Sequence, residues 1–267
     1  MAILTISREY GSGGREIGQA VAKLLNYEYV NKERLLDDIR ALGKNWGEWG
    51  ANLDEHCPTI WEKYDWSFRG FGALLENHIL HYALDGNVVI MGRGGNFVLK
   101  GIPHALRIRV MAPLEQRAER IMKRETVDRE TALWLMERTD KERSCLIHIL
   151  YGGRWDDPEE YDMVFDTGAE SIEQVTSVVK EELLKRERFN TDETGKMLYG
   201  RSVASKIKAA ILTDPAFLLP TLDVHYDGAS IILRGVSHDP KEHKRIEEAA
   251  RKLSENIPLK CDLHYRR

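Results

Sequence analysis

"SREYGSGGREIG", residues 7–18, decides how the rest of this 267-residue chain is read. It follows the apolar run "AILTI" and carries glycines at 11, 13 and 14. Such glycines permit backbone conformations in which N–H groups converge on an anion at a helix N-terminus. The usual phosphate loop reads G-x-x-x-x-G-K-[ST], its lysine meeting charge and its hydroxyl reaching Mg²⁺. Here Arg15 follows Gly14, and Ile17 stands where the hydroxyl falls if one residue intervenes. Arginine can clamp phosphate with a forked geometry instead of a point charge, whereas Ile17 cannot ligate a cation. Two readings are open. Either Gly11, Ser12, Gly13, Gly14, Arg15 and Glu16 form a phosphate site, or a glycine turn only packs a helix on a strand.

The surroundings favour the first. "AILTIS" reads as a short buried strand, and Ile17, Ala20, Val21, Leu24 and Leu25 then fall on one helical face, with "YEYV" (27–30) as a second strand. Strand, glycine turn, helix and strand is the context that raises such a motif above chance. Further on, a helix over about 70–84 leads to the strand "NVVIMGRGG", followed by the strand "ALRIRVM" (105–111) and a helix opening with Pro113. A charged helix covers roughly 128–148, "MVFD" (163–166) is a short strand, and Ile172, Val175, Val179 and Leu183 share one face of a last helix. Strands alternating with helices predict an α/β fold, a parallel sheet covered on both sides.

The polar stretch "RERFNTDETGKMLYG" predicts a linker over 186–200. Beyond it, 201–267 reads α-β-β-α-β, a small separate α+β domain. Residues 40–72 are irregular, and Trp46, Trp49, Trp61 and Trp66 there read either as packing for an insertion or as a base-stacking platform.

The bulk composition excludes several classes. With 42% hydrophobic and 31% charged residues the chain is of soluble globular type, and no apolar run nears the roughly 18–20 residues that span a bilayer. The N-terminus lacks a basic segment followed by a long apolar one, which predicts no cleaved secretion signal. A net charge of −4 disfavours a nucleic-acid binder. Cys57, Cys145 and Cys261 are odd in number and far apart, which predicts no disulfide framework and no zinc site, and fits a reducing cytoplasm.

Two further segments carry chemistry. In "MGRGGNF" (91–97), directly after a strand, Arg93 is the natural anion-binding side chain, because ligands of open α/β sheets bind beyond the carboxyl ends of the strands. In "ERTDKER" (137–143), Asp140 and Arg143 share a helix face near Arg138 and Lys141. That run reads either as a solvated helix or as a mobile segment that closes over polyphosphate. His78 and His81 could share a helix face, but no third ligand is suggested, and no Ser–His–Asp or Cys–His arrangement can be argued.

Together these segments resemble the cytidylate kinase-like branch of the P-loop nucleoside monophosphate kinases, over roughly residues 1–185. "TISREYGSGGREIGQAVAKLL" is similar to that branch's own phosphate loop, with arginine in place of lysine. "MGRGGNF" is similar to the family's G-R-D segment, with Gly94 in place of the acidic residue, and Asp140 and Arg143 match its D-x-x-R. "YDMVFDTGAESIEQV" is similar to its closing strand and helix, while the D-S-G segment of authentic cytidylate kinases has no clear counterpart in "YVNKERL".

The resemblance implies a P-loop kinase-type sheet and ATP-dependent phosphoryl transfer to a nucleoside monophosphate such as CMP or dCMP, with Mg²⁺. It assigns catalysis to Arg15, Arg138 and Arg143, and acceptor binding to Arg93, Asp140 and Arg143; the metal ligands stay unassigned. Residues 201–267 resemble a BON domain, which implies a protein or phospholipid partner. A catalytically weak nucleotide sensor coupled to that tail is the rival expectation.

Overall fold

β1 (Ile3–Arg8) is buried at every position but its last. It is the central strand of a five-stranded parallel sheet with β2 (Glu28–Val30), β3 (Val88–Met91), β4 (Ala105–Met111) and β5 (Met163–Asp166), in the order β2-β3-β1-β4-β5. The computed structural model describes residues 1–43, 46, 57–59, 61, 62, 65–217, 219, 221–237 and 240–265. Successive side chains of a strand face opposite sides of the sheet, so the near-continuous apolar runs split between two cores. Ile3, Val88 and Ile90 join one, while Leu4, Ile6, Val89, Met91, Ile108 and Val110 join the other. The second core is closed by α1 (Gly14–Leu25) and α7 (Ile172–Arg186), through Ile17, Val21, Val175, Val179 and Leu183. The first lies under α2 (Lys32–Ala41) and α3 (Trp66–Asp85). Between these helices and α7 the chain forms α4 (Gly95–Val98), α5 (Leu114–Glu125) and α6 (Arg129–Tyr151).

The buried face of α1 is rotated from the expected one. Gly14, Ile17, Gly18, Val21 and Ala22 point inward, whereas Leu24 is 60% exposed. The apolar side chains alone mislead because glycines carry part of this contact. A Cβ at Gly18 would stand 2.7 Å from Met91 Sδ, so the helix can approach β3 only without one.

At the C-terminus, α8 (Asp192–Thr213) and α9 (Pro240–Leu253) accompany a second sheet of β6 (Asp223–Tyr226), β7 (Ile231–Ser237) and β8 (Leu259–Tyr265). β6 pairs antiparallel and β8 parallel with β7, which gives the expected αββαβ order. The stretch read as a linker is helical instead. After α7 ends at Arg186, a short 3₁₀ turn spans Glu187–Phe189, and the Thr191 hydroxyl accepts the Thr194 N–H to cap α8. The polar residues that suggested a break are thus a capping residue and an acidic first turn, Asp192 and Glu193, which complement the helix dipole.

α8 also joins the two units. Its Val203, Ala204, Ile207 and Ile211 share one core with Leu74, Leu75 and Ile79 of α3 and with Ile231 and Leu233 of β7. Lys208 pairs with Glu76 at 2.8 Å, and Arg201 donates to the Lys100 carbonyl at 2.7 Å. Ile207 is fully buried, so Ile207→Ala should cost about 2–5 kcal/mol. Because the core is continuous, urea unfolding should remain one transition by both fluorescence and circular dichroism. A variant that melts in two steps would show that the tail is held independently.

One expectation about the chain's chemistry changes. Cys57 and Cys145 are joined in a disulfide, their Cα atoms 5.6 Å apart, because the 57–59 segment returns to α6 across 88 residues of sequence; only Cys261 is free. Sequence spacing carries no information on that return. Among the described residues, no helix is long and apolar enough to cross a membrane.

Candidate functional site

The loop between β1 and α1 opens at the carboxyl end of the central strand, where open α/β sheets take their ligands. Gly13 is the N-cap of α1, in left-handed backbone (φ 85°) and without a side-chain cap. The first-turn N–H groups of Gly14, Arg15 and Glu16 have no acceptor within the helix and carry the positive end of its dipole. All three residues line a cleft of about 290 Å³.

This loop is clamped from behind. The Thr167 hydroxyl donates to the Ser12 carbonyl at 2.7 Å, and Arg120 Nη1 donates to Thr167 Oγ1 at 2.8 Å and to the Gly11 carbonyl at 3.3 Å. Thr167→Val keeps the volume but removes the bond to Ser12. It should weaken binding of an anion such as inorganic pyrophosphate roughly ten-fold, by loosening a preorganised donor set, with little change in thermal midpoint. A variant with unchanged affinity would show that the loop holds its shape unaided.

The second wall is the turn after β3. Arg93 sits there at φ 56°, a left-handed backbone that costs a non-glycine residue of order 1–3 kcal/mol and is found where surroundings enforce it. The Tyr151 hydroxyl donates to the Arg93 carbonyl at 2.9 Å, and the Tyr151 ring stacks on Phe97. Gly94 (φ 77°) faces that ring so closely that a Cβ would overlap it. An acidic side chain in place of Gly94 would have no room here, because Tyr151 fills the place. Gly94→Ala should destabilise the protein by about 1–3 kcal/mol, as a lower urea midpoint at unchanged slope.

The third wall is α6. Arg143 Nη1 donates to the Arg8 carbonyl at 2.8 Å and lies 3.4 Å from Asp140 Oδ1. Asp140 accepts the Tyr10 N–H at 2.8 Å and pairs with Arg117 at 2.6 Å. The Tyr10 ring lies 4.8 Å from the Arg124 guanidinium and 5.7 Å from that of Arg143, which fixes both cations over its π-face.

Arg8, Arg15, Arg93, Arg124 and Arg143 therefore line one cleft. Burial lowers the Arg8 guanidinium well below its ordinary value, and the nearby Arg143 and Arg93 lower it further. Arg93 is pushed down to about 10 by burial, with Glu33 opposing. Arg143 is pushed down to about 10, by burial first and with Arg93 adding, against the attraction of Asp140. Guanidinium groups remain cationic at neutral pH, so five fixed positive charges share the cleft with the helix-terminal N–H groups and with the carboxylates of Glu9, Glu16, Glu33, Glu125 and Glu142. The arrangement suits a polyanion.

The sequence profile of the cytidylate kinase-like family matches residues 3–169, which include the loop, Arg93 and α6. The chain belongs to the cytidylate kinase-like family. A cytidylate kinase of Methanocaldococcus jannaschii is 31% identical over 179 residues, covering 66% of this chain and 94% of that protein. A cytidylate kinase of Pyrococcus horikoshii is 29% identical over 179 residues, 67% and 86% of the two chains. The crystal structure of an uncharacterized protein from Eubacterium ventriosum shares the fold, with a TM-score of 0.56 over 68% of this chain and 98% of its own, at 22% identity. The family match ends before α8, so the C-terminal unit lies outside it.

In this cytidylate kinase-like chain, the residues singled out in the sequence divide. Gly11, Ser12, Gly13, Gly14, Arg15, Glu16, Arg93 and Arg143 meet at the cleft. Arg138 does not: it pairs with Glu142 at 2.8 Å and lies over the Trp134 ring on an exposed face of α6. Asp140 stands behind the cleft, tying α6 to the loop and to Arg117. Sequence reasoning missed Arg8, Arg124, Arg120 and Thr167. Arg8 was within reach, as the last residue of the central strand; nothing local marks Arg124, in the last turn of α5. His78 is half-buried on α3 and pushed down by burial, and no group of three metal-ligating side chains gathers at the cleft among the described residues. Trp46 packs on Trp66 and against the core, Trp61 is 86% exposed, and Trp49 lies outside the described residues.

The family implies a triphosphate donor and a divalent cation. For the cation, the chain offers no hydroxyl at the loop: Ile17 is fully buried, Ser12 Oγ is sealed away without a partner, and the Thr167 hydroxyl is spent on Ser12. Among the described residues no loop hydroxyl can hold Mg²⁺, which leaves the cleft carboxylates of Glu9, Glu16, Glu33, Glu125 and Glu142 as the oxygen ligands present.

Proposed function

We propose that this chain transfers the γ-phosphoryl group of ATP–Mg²⁺ to a nucleoside monophosphate, with CMP or dCMP as the leading acceptor. The observation that carries this reading is the convergence of Arg8, Arg93, Arg124 and Arg143 on the first-turn N–H groups of α1 in one cleft. The first-turn amides of Gly14–Glu16 hold the donor's β- and γ-phosphates, with Arg15 at their edge. Arg8 and Arg93 hold the acceptor phosphate from the β1 and β3 ends. Arg143, with Arg124, faces the phosphoryl group in flight.

An acceptor phosphate oxygen attacks the γ-phosphorus as the bond to the β–γ bridging oxygen breaks, and ADP leaves. Little covalent chemistry falls to the protein; positioning and fixed positive charge supply the rate. The cation enters with the nucleotide as part of the substrate. Glu9 is paired with Arg109 and Arg117, at 3.5 and 3.6 Å.

The test is ADP formation from ATP–Mg²⁺ against a panel of nucleoside monophosphates, with Arg15→Ala alongside. Acceptor-dependent turnover that falls in the variant supports the kinase and names its acceptor. The enclosed Ile17 and sealed Ser12 hydroxyl favour a second reading, a weakly catalytic sensor whose nucleotide occupancy is transmitted through α8 to a BON-like interaction module at 201–267. Nucleotide binding without turnover on the same sample would select it.

A further inference from the structure

α9 packs against β7 and β8 in the C-terminal unit. Along β8, Lys260, Asp262 and His264 are exposed, while Leu259, Cys261 and Leu263 are more buried on the alternate face. His243 and Glu247 stand one turn apart on α9 and share a face. One ligand atom from each of His243, Glu247 and Cys261 lies within 4.8 Å of the others, and all three residues are half-buried. Among the described residues this is the only such group. Arg251 donates to Glu247 Oε1 from Nε at 3.1 Å and from Nη2 at 2.6 Å, which leaves Oε2 without a hydrogen bond among the described residues. Cys261 is the free cysteine.

We propose that His243, Glu247 and Cys261 form a binding site for a borderline divalent cation, zinc by preference, that pins α9 to β8. An imidazole, a thiolate and a carboxylate select zinc over magnesium or calcium, which take all-oxygen sets. Zinc–ligand lengths of about 2.0–2.3 Å put tetrahedral ligand atoms roughly 3.3–3.7 Å apart. The three atoms must therefore draw in by about 1 Å, a movement that rotation of the long Glu247 and His243 side chains supplies. The fourth position is left to water. Arg251, on the other carboxylate oxygen, orients Glu247 from outside the coordination sphere.

Cys261 lies half-buried on β8, beside the carboxylate of Glu247. On metal binding the thiol gives its proton to solvent as the sulfur ligates. The site lies outside the family match, and nothing in it rests on the kinase reading.

The experiment is a Co²⁺ titration of the chelator-stripped full chain, without nucleotide, followed by absorption. One equivalent should produce tetrahedral d–d bands and a thiolate-to-cobalt charge-transfer band, and Zn²⁺ should displace both. Cys261→Ser should remove the charge-transfer band, His243→Ala should weaken binding at least ten-fold, and the double variant Cys57→Ser/Cys145→Ser should keep the full signal. Circular dichroism on every sample establishes that each is folded. A folded wild type with no charge-transfer band, or a band that survives in folded Cys261→Ser, overturns the site. Should Cys261→Ser fail to fold, His243→Ala decides alone, and an unchanged Co²⁺ affinity there overturns it equally.

Discussion

Replacing Arg143 with alanine should lower kcat for the proposed phosphoryl transfer roughly 10²–10³-fold, the usual effect of removing one preorganised donor from a developing anion, while nucleotide binding should change far less. The expectation rests on where the side chain is held. Its backbone belongs to α6, yet its Nη1 is bonded to the Arg8 carbonyl at the end of β1, and Asp140 and the Tyr10 ring fix the rest of the guanidinium. It is therefore a cation delivered by one element to the mouth of another. Arg143→Lys should recover part of the rate, since it keeps the charge but loses the forked geometry. The measurement is steady-state ADP release at saturating acceptor, together with the thermal midpoint. A kcat within about three-fold of wild type would remove Arg143 from the transition state. A large fall in midpoint would assign it instead to joining α6 with β1.

Arg8→Met should change stability and function in opposite directions. The apparent KM for the acceptor rises about 10–100-fold, in keeping with the loss of a charge-assisted contact to phosphate. The ligand-free protein, however, becomes more stable. The sign follows from the direction of the shift: the folded environment holds Arg8 well below its ordinary value, by burial first and then by Arg143 and Arg93. Folding thus disfavours the cation relative to the unfolded chain. That penalty is fully present at neutral pH, where the guanidinium is charged in both states, and it relaxes only as pH rises from the lowered value toward the ordinary one. Methionine removes it and retains the stem's packing against Gly14.

A gain of about 1 kcal/mol would raise the midpoint by roughly 2–4 °C in a protein of this size. Inorganic phosphate or nucleotide should stabilise wild type more than the variant, because the anion relieves the repulsion that the substitution has already removed. Scanning calorimetry with and without ligand checks both signs. A less stable ligand-free variant would mean that Arg8 is held by compensating contacts and is not the strained member of the cluster.

Much of the site was legible because its backbone signals are local. A strand, three glycines and an amphipathic helix announce an anion site at the start of α1, and a second glycine turn after a buried strand announces Arg93. By spacing alone Arg143 was one of several charges on a helix, and only the resemblance of Asp140 and Arg143 to the D-x-x-R pattern singled it out. Its neighbour Arg138 carries the same charge in the same sequence run, yet faces solvent and pairs with Glu142. Helical spacing says which residues share a face; it does not say which face the cleft will meet.

The order of the strands, most of the helices between them, the two-sided α/β layering and the αββαβ order of the tail were determined by the sequence alone, because hydrophobic period and turn chemistry act within a few residues. The tertiary structure decided the rest. It set β1 between β3 and β4, and so brought Arg8, Arg93 and Arg143 together from positions far apart in the chain. It returned Cys57 to Cys145, and it made α8 a shared core helix where a linker had been expected. A buried face can be read from periodicity, but its partner is chosen by how the whole chain closes its cores, and no local pattern records that choice.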